Sequence, residues 1–169
     1  MYNVFDGFRG AKLARVLKVH VGSLVFVKVC GRGSTLFAVP VPSGREVAIL
    51  FFAAKVRSRG RRWWTPALAL AGAPLNRFVR QLENLVEGGG RPFSFRSRKS
   101  GLFISVRRRG SGYALLLGGG ERVYAVVEVR KGDLAKLARL LKEAVEWRPN
   151  DLPLPLTWRD KEKIFGSYA

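Results

Sequence analysis

Cysteine, histidine and methionine each occur once in the 169 residues, as Cys30, His20 and Met1. One histidine and one cysteine cannot supply three protein ligands to a zinc ion within a chain, and one thiol makes no intramolecular disulfide. The cysteine usage points to a reducing compartment, cytoplasmic or nucleoid-associated. Long hydrophobic runs are also missing. The longest charge-free stretch, residues 63–76, is 14 residues and contains Pro66 and Pro74, too short to span a bilayer. No basic–apolar–small pattern at the start suggests a secretory signal.

Acidic residues are scarce: 12 Asp+Glu stand against 31 Lys+Arg, a formal net charge of +19. Hydrolytic nucleases gather two or three carboxylates around magnesium. Here Asp6, Glu46, Glu83, Glu87, Glu121, Glu128, Asp133, Glu143 and Glu146 are scattered, most at expected helix ends or on exposed helix faces. His20 and Cys30 fall in adjacent strands of one expected hairpin, within reach of each other on that reading, but a lone strand cysteine is far more often packing than a nucleophile. The run Gly31-Arg32-Gly33-Ser34-Thr35 lacks the Gly-Lys-Ser/Thr of a phosphate loop. The chain reads as a non-enzyme with no cofactor and no metal.

What is abundant is apolar residue, 47% of the chain, so the basic excess coats a folded interior rather than a disordered polycation. Such self-repulsion points to a polyanion partner, nucleic acid first. Arginine outnumbers lysine 21 to 10, which suits phosphate and stacking contacts.

Valine and aromatic runs bounded by Gly, Pro and Ser predict short strands at 15–21, 24–30, 35–41, 46–56 and 62–70, with Pro66 placing the last at an edge or a bulge. A short helix over 11–17 followed by four strands is the alternative. Pro74 then suits the first position of a helix, whose apolar stripe is Leu75, Phe78, Val79, Leu82, Leu85 and Val86. Gly88-Gly89-Gly90 stops it. The pattern repeats: strands at 92–98, 102–108, 113–117 and 122–130, then a helix with Asp133 as N-cap and a stripe of Leu134, Leu137, Ala138, Leu141 and Val145. The expected fold is α+β: two tandem antiparallel β-meander-plus-helix units (1–90 and 91–148) packed as one compact domain. An extended Pro-rich C-terminal tail with a short helix (149–169) follows.

Alternation in the second unit sends Leu102, Ile104 and Val106 inward, and Val123, Ala125, Val127 and Val129 likewise. The outer face is then expected to carry Arg96, Arg98, Phe103, Arg107, Arg109, Arg122, Tyr124 and Arg130, a set suited to stacking unpaired bases and holding phosphates. In the first unit Lys55, Arg57, Arg59, Arg61 and Arg62 lead into Trp63-Trp64. One tryptophan should pack inward and the other, with Trp64 the candidate, should sit by the basic tip.

The segment 101–117, reading Gly-Leu-Phe-Ile-Ser-Val-Arg-Arg-Arg-Gly-Ser-Gly-Tyr-Ala-Leu-Leu-Leu, is followed by a strand over 122–129 and a helix over 133–147. It resembles the pattern of the Pur-alpha and Whirly group of single-stranded nucleic-acid-binding folds: an aromatic/aliphatic strand, a basic turn, then a glycine–aromatic–aliphatic strand. The long hairpin at 46–70 and the Pro-rich tail depart from that group. The resemblance implies ββββα units whose sheets face the nucleic acid and whose helices pack behind them or between subunits. The partner expected is therefore single-stranded DNA or RNA, bound with weak sequence preference, with a homodimer or larger assembly through the helices or the tail. Two alternatives stand beside it: a structural RNA-binding component of a ribonucleoprotein particle such as the ribosome, and a duplex-coating chromatin protein.

Overall fold

Alternating Val and polar residues make a hairpin at the start of the computed structural model, which describes residues 15–21, 24–43 and 46–146. Strand β1 (Arg15–Val21) pairs with β2 (Leu24–Cys30), Arg15 opposite Cys30 and Val21 opposite Leu24. β3 (Ser34–Ser43) and β4 (Glu46–Ser58) continue the antiparallel meander. β4 is 13 residues long and carries two short partners in succession. β5 (Arg61–Trp64) pairs with its end, and β6 (Leu68–Ala71) pairs with its middle.

The single strand expected over 62–70 is thus two, broken around Pro66. Proline has no N–H to give the ladder, and Thr65 makes good the junction. Its N–H donates to the Ala54 carbonyl and its Oγ1 accepts from the Ala54 N–H, both at 2.9 Å. The first half therefore has six strands, and the end of the alternative helix expected over 11–17 is strand β1 from Arg15 onward.

Helix α1 (Gly72–Val86) follows, with Leu75, Phe78, Val79, Leu82 and Leu85 buried on one stripe as expected. Pro74 sits in the first turn, where a missing N–H costs nothing. Glu87 caps the other end and Gly88, at φ +90°, takes the left-handed turn that ends it.

The second half is a four-stranded antiparallel meander in sequence order: β7 (Phe93–Arg96), β8 (Leu102–Arg109), β9 (Gly112–Gly119) and β10 (Arg122–Val129). Helix α2 (Lys131–Glu146) ends it. Asp133 is not the N-cap. The Leu134 N–H donates to the Arg130 carbonyl, which makes Arg130 the cap, and Asp133 reaches back to accept from the Arg130 N–H at 3.4 Å. That is the acidic arm of a capping box.

One buried cluster draws on both sheets and both helices, including Leu36, Leu50, Phe52 and Ala54, then Ile104, Leu115 and Val127, then Leu82, Leu137 and Leu141. The helices lie side by side, tied at the surface by Lys142 and Glu83 at 3.5 Å. The crossing of partners is informative. α2, which follows the second sheet, packs on β1, β2 and β4 of the first, while α1 touches β7 of the second. Among the described residues no helix is long and apolar enough to cross a membrane. The segment expected to form an extended Pro-rich tail with a short helix lies outside the described residues, as do Asp6 and residues 11–14.

Gly31 and Gly118 are among the glycines fixed by close approach. A Cβ on Gly31 would meet the Ser34 carbonyl at 2.8 Å and Val127 of the second sheet at 3.0 Å. A Cβ on Gly118 would run into the Arg122 carbonyl and the Phe103 ring. Gly118→Ala should therefore lose about 1–3 kcal/mol to overpacking, read as a lower urea midpoint with an unchanged slope. A midpoint equal to wild type would contradict this packing.

Candidate nucleic-acid interface

Residues opposite each other in an antiparallel ladder share a face, so the outer surface of the second sheet follows from its register. Ser94 and Arg96 of β7 lie opposite Ser105 and Phe103 of β8, which face Leu116 and Gly118 of β9. Arg107 continues the row, facing Ala114, and Glu128 of β10 lies on the far side of Ala114. Small residues at 112 and 114 leave room for Arg109 Nε to reach Glu128 at 3.1 Å across β9. Both partners are about half exposed, so this pair adds little stability, but it lowers the positive charge of that corner.

Of the eight residues expected on this face, Arg98, Arg122, Tyr124 and Arg130 lie elsewhere, while Phe103 and Arg96 stay on it but are engaged. Phe103 points outward yet is only 7% exposed. Its ring lies across Gly118, and the Arg96 guanidinium covers it at 4.7 Å from the centroid. Arg96 itself is occupied: its Nη1 donates to the carbonyls of Gly101 and Gly120 at 3.0 and 2.8 Å. Tyr124 lies on the other side of the sheet. A β-bulge between Val123 and Ala125 inserts it as the extra residue, which reverses parity for everything before it. Val123 therefore faces outward, 48% exposed, and Tyr124 packs on the core with its hydroxyl over Gly119. Arg122, opposite Gly119 and in line with Leu102, follows Tyr124 to the core side. Arg130 belongs to the start of α2 and Arg98 to the exposed turn between β7 and β8. Arg107 and Arg109 stand on the expected face, exposed.

Aromatic and basic side chains interleave instead on the outer face of the first sheet. Phe26, Phe37, Val39 and Ala53 form a second buried cluster, with Val19 and Trp64 packed against it. Phe37 stacks at a tilt on Phe26 (6.0 Å) and on Trp64 (5.1 Å). Lys28 lies 5.8 Å over Phe37 and Lys55 lies 5.5 Å over Trp64, both within cation–π range. The sequence signal for this second apolar face is the unbroken run Val25-Phe26-Val27 and Leu36-Phe37-Ala38-Val39, where alternation fails.

The β4–β5 hairpin is the most basic exposed element. Arg57, Arg59, Arg61 and Arg62 are all exposed around a two-residue turn, Arg59 at φ +51° and Gly60 at φ +78°. Two positive φ values are the mark of the tight turn that matches strand twist. Of the tryptophans, Trp63 is the exposed one, at 40%, and Trp64 is half-buried. Trp63 lies opposite Val56, so it is on the core side of the sheet at its edge, meeting Tyr124 edge-on at 6.4 Å. Arg61, two residues before it, shares that side.

His20 and Cys30 do not meet. His20 pairs with Val25 and Cys30 with Arg15, five positions along the hairpin, or about 16 Å. Among the described residues no three His, Cys, Asp or Glu side chains gather as a metal site. Comparison of the chain with protein-family models, curated proteins and solved structures finds no match.

Arg59 is the one non-glycine with positive φ among the described residues, a conformation that costs a non-glycine about 1–2 kcal/mol and that Asn tolerates better. Arg59→Asn should accordingly raise the urea midpoint, by an amount equivalent to about 0.5–1 kcal/mol. A lower midpoint would mean that the arginine contributes to folding.

Proposed function

We propose that this chain is a non-enzymatic binder of single-stranded DNA or RNA with weak sequence preference. The observation that carries the reading is the β4–β5 hairpin, an exposed arginine-rich edge that also presents an exposed indole at the junction of the two sheets. Arginines neutralise phosphates wherever a strand runs, whatever its sequence. An indole presented at a sheet edge accepts the face of a base only if that base is unstacked. A duplex offers the hairpin its backbone but offers Trp63 no base face. The stacking role expected of Phe103 and Tyr124 passes to Trp63, with Arg61 beside it.

Two strand-meander-plus-helix units, an extended C-terminal tail and a place beside the Pur-alpha and Whirly group belong to the same proposal. The meander of β7 to β10 followed by α2 is the ββββα order that such a likeness leads one to look for. A second reading, a structural RNA-binding component of a ribonucleoprotein particle, is favoured by exposed cations on the helices as well, such as Arg77 and Lys136. A folded RNA wrapping several faces would engage both sets.

Fluorescence anisotropy with single strand, duplex and structured RNA separates these readings. For about six phosphates contacted by a single strand, affinity should fall by roughly two and a half decades between about 50 and 200 mM salt. Trp63→Ala should cost about 1–3 kcal/mol with single strands and little with duplex. Equal losses on both, or a flat salt response, would sink the single-strand reading. Strong preference for structured RNA would select the particle component.

A further inference from the structure

The turn between β2 and β3 and the β4–β5 hairpin stand side by side at one end of the first sheet. Thr35 lies opposite Lys55, which lies opposite Trp64. In the next row the Arg57 N–H donates to the Gly33 carbonyl at 2.8 Å, and Arg57 lies opposite Arg62. Between these rows is a cleft of about 260 Å³, lined by residues 31–35 with Lys55, Arg57 and Arg62. Four of its eight lining residues are cations, Arg32, Lys55, Arg57 and Arg62, and none is a carboxylate.

Two features of the cleft call for an anion. First, Arg57 and Arg62 are directly opposite across the ladder, a like-charge placement that destabilises a sheet by itself. Second, its wall is fixed. The Gly31 N–H donates to the Ser34 carbonyl at 2.9 Å, and Gly31 is pressed against Val127 of the second sheet. The repelling cations are thus held around a braced turn, with Thr35 on the same face as Lys55.

The charge also selects the kind of phosphate. An internal phosphodiester carries one negative charge, whereas a terminal phosphomonoester carries about −1.5 to −2 and three free acceptor oxygens. A cleft lined by four cations and no carboxylate matches the second far better. We infer that this cleft is a subsite for a phosphate dianion, the terminal phosphomonoester of a bound strand. This rests on the single-strand reading above and adds end recognition to it. The path is short: β5 is an edge strand, and its successive residues Arg62 and Trp63 point to opposite faces. A strand with its end phosphate in the cleft turns over that edge to bring a base to Trp63.

The test is anisotropy with one single-stranded sequence carrying a 5′-phosphate, a 3′-phosphate or hydroxyls at both ends. Wild type is compared with the Arg57→Gln/Arg62→Gln double variant and with Arg139→Gln on the exposed face of α2, each checked for folding by circular dichroism. One phosphorylated form should bind at least about tenfold tighter than the hydroxyl form in wild type and in Arg139→Gln, and the double variant should lose that preference. Equal binding of all three forms by wild type, or a preference that survives in the double variant, overturns the inference. If no form binds, the single-strand reading falls, and a nucleoside monophosphate alone then decides the cleft by calorimetry. Saturable binding lost in the double variant upholds a phosphate subsite, and its absence in wild type overturns it.

Discussion

The structure depends on two antiparallel sheets sharing one interior, and on α2 packing back across it onto the first sheet beside α1. A sheet with one apolar face is unstable until something covers that face. Here α2 covers β1 and β2, elements more than a hundred residues earlier in the chain, while α1 reaches the second sheet through β7. Neither sheet's own helix accounts for its whole cover. Leu82, Leu137 and Leu141 are fully buried or nearly so in the one cluster that joins all these elements. The braced β2–β3 turn is a consequence of the same arrangement, because Gly31 touches Val127 only when the two sheets are pressed together.

Around that interior the charge is poorly matched. With 31 cations and 12 acids, most basic side chains have no carboxylate to meet, and between described residues two ion pairs form, one on the second sheet and one between the helices. At physiological salt charges more than about 8 Å apart are largely screened. In the β4–β5 hairpin Arg57 and Arg62 are cross-strand neighbours, whose Cβ atoms lie about 5 Å apart. Repulsion is therefore concentrated where Arg57 faces Arg62 and where Arg59 takes an unfavourable backbone conformation. Burial of the core tolerates this cost, and an anion would relieve it.

Local patterns in the sequence carried most of the architecture. The bounds of β1 and β2, the buried stripe of α1 and the four-strand meander before α2 all follow from period-2 and period-3.6 patterning with Gly and Pro breaks. Features that depend on partners distant in sequence did not show. The bulge at Tyr124 adds one residue to a strand whose residues otherwise alternate, so the alternation Val123, Ala125, Val127 looks regular while the parity before it is reversed. Phe103 is outward by pattern, and only the glycine opposite it and the guanidinium of Arg96 explain why it is covered. The second apolar face of the first sheet was signalled by failed alternation at Phe26 and Phe37. For Asp133 the residue was right and the position was not, because an acid three residues inside a helix and one at its cap suit the same N-terminus.

The expected site also shifted for a geometric reason that the four residues of β5 make plain. Arg61-Arg62-Trp63-Trp64 has no apolar–polar alternation at all, which argues against a strand with one buried and one wetted face. At an edge strand, however, both faces and the outer rim are accessible. Successive residues go to opposite sides, so Arg61 and Trp63 take the core-side rim with Tyr124, while Arg62 and Trp64 take the outer face with Lys55 and Arg57. Each side receives one cation and one indole. An Arg-Trp-Arg-Trp order would have put both cations on one side and both rings on the other. The doublet order is the one that lets a strand keep a phosphate contact and a stacking surface on either side as it crosses the edge. That crossing is what the proposed function asks of this hairpin.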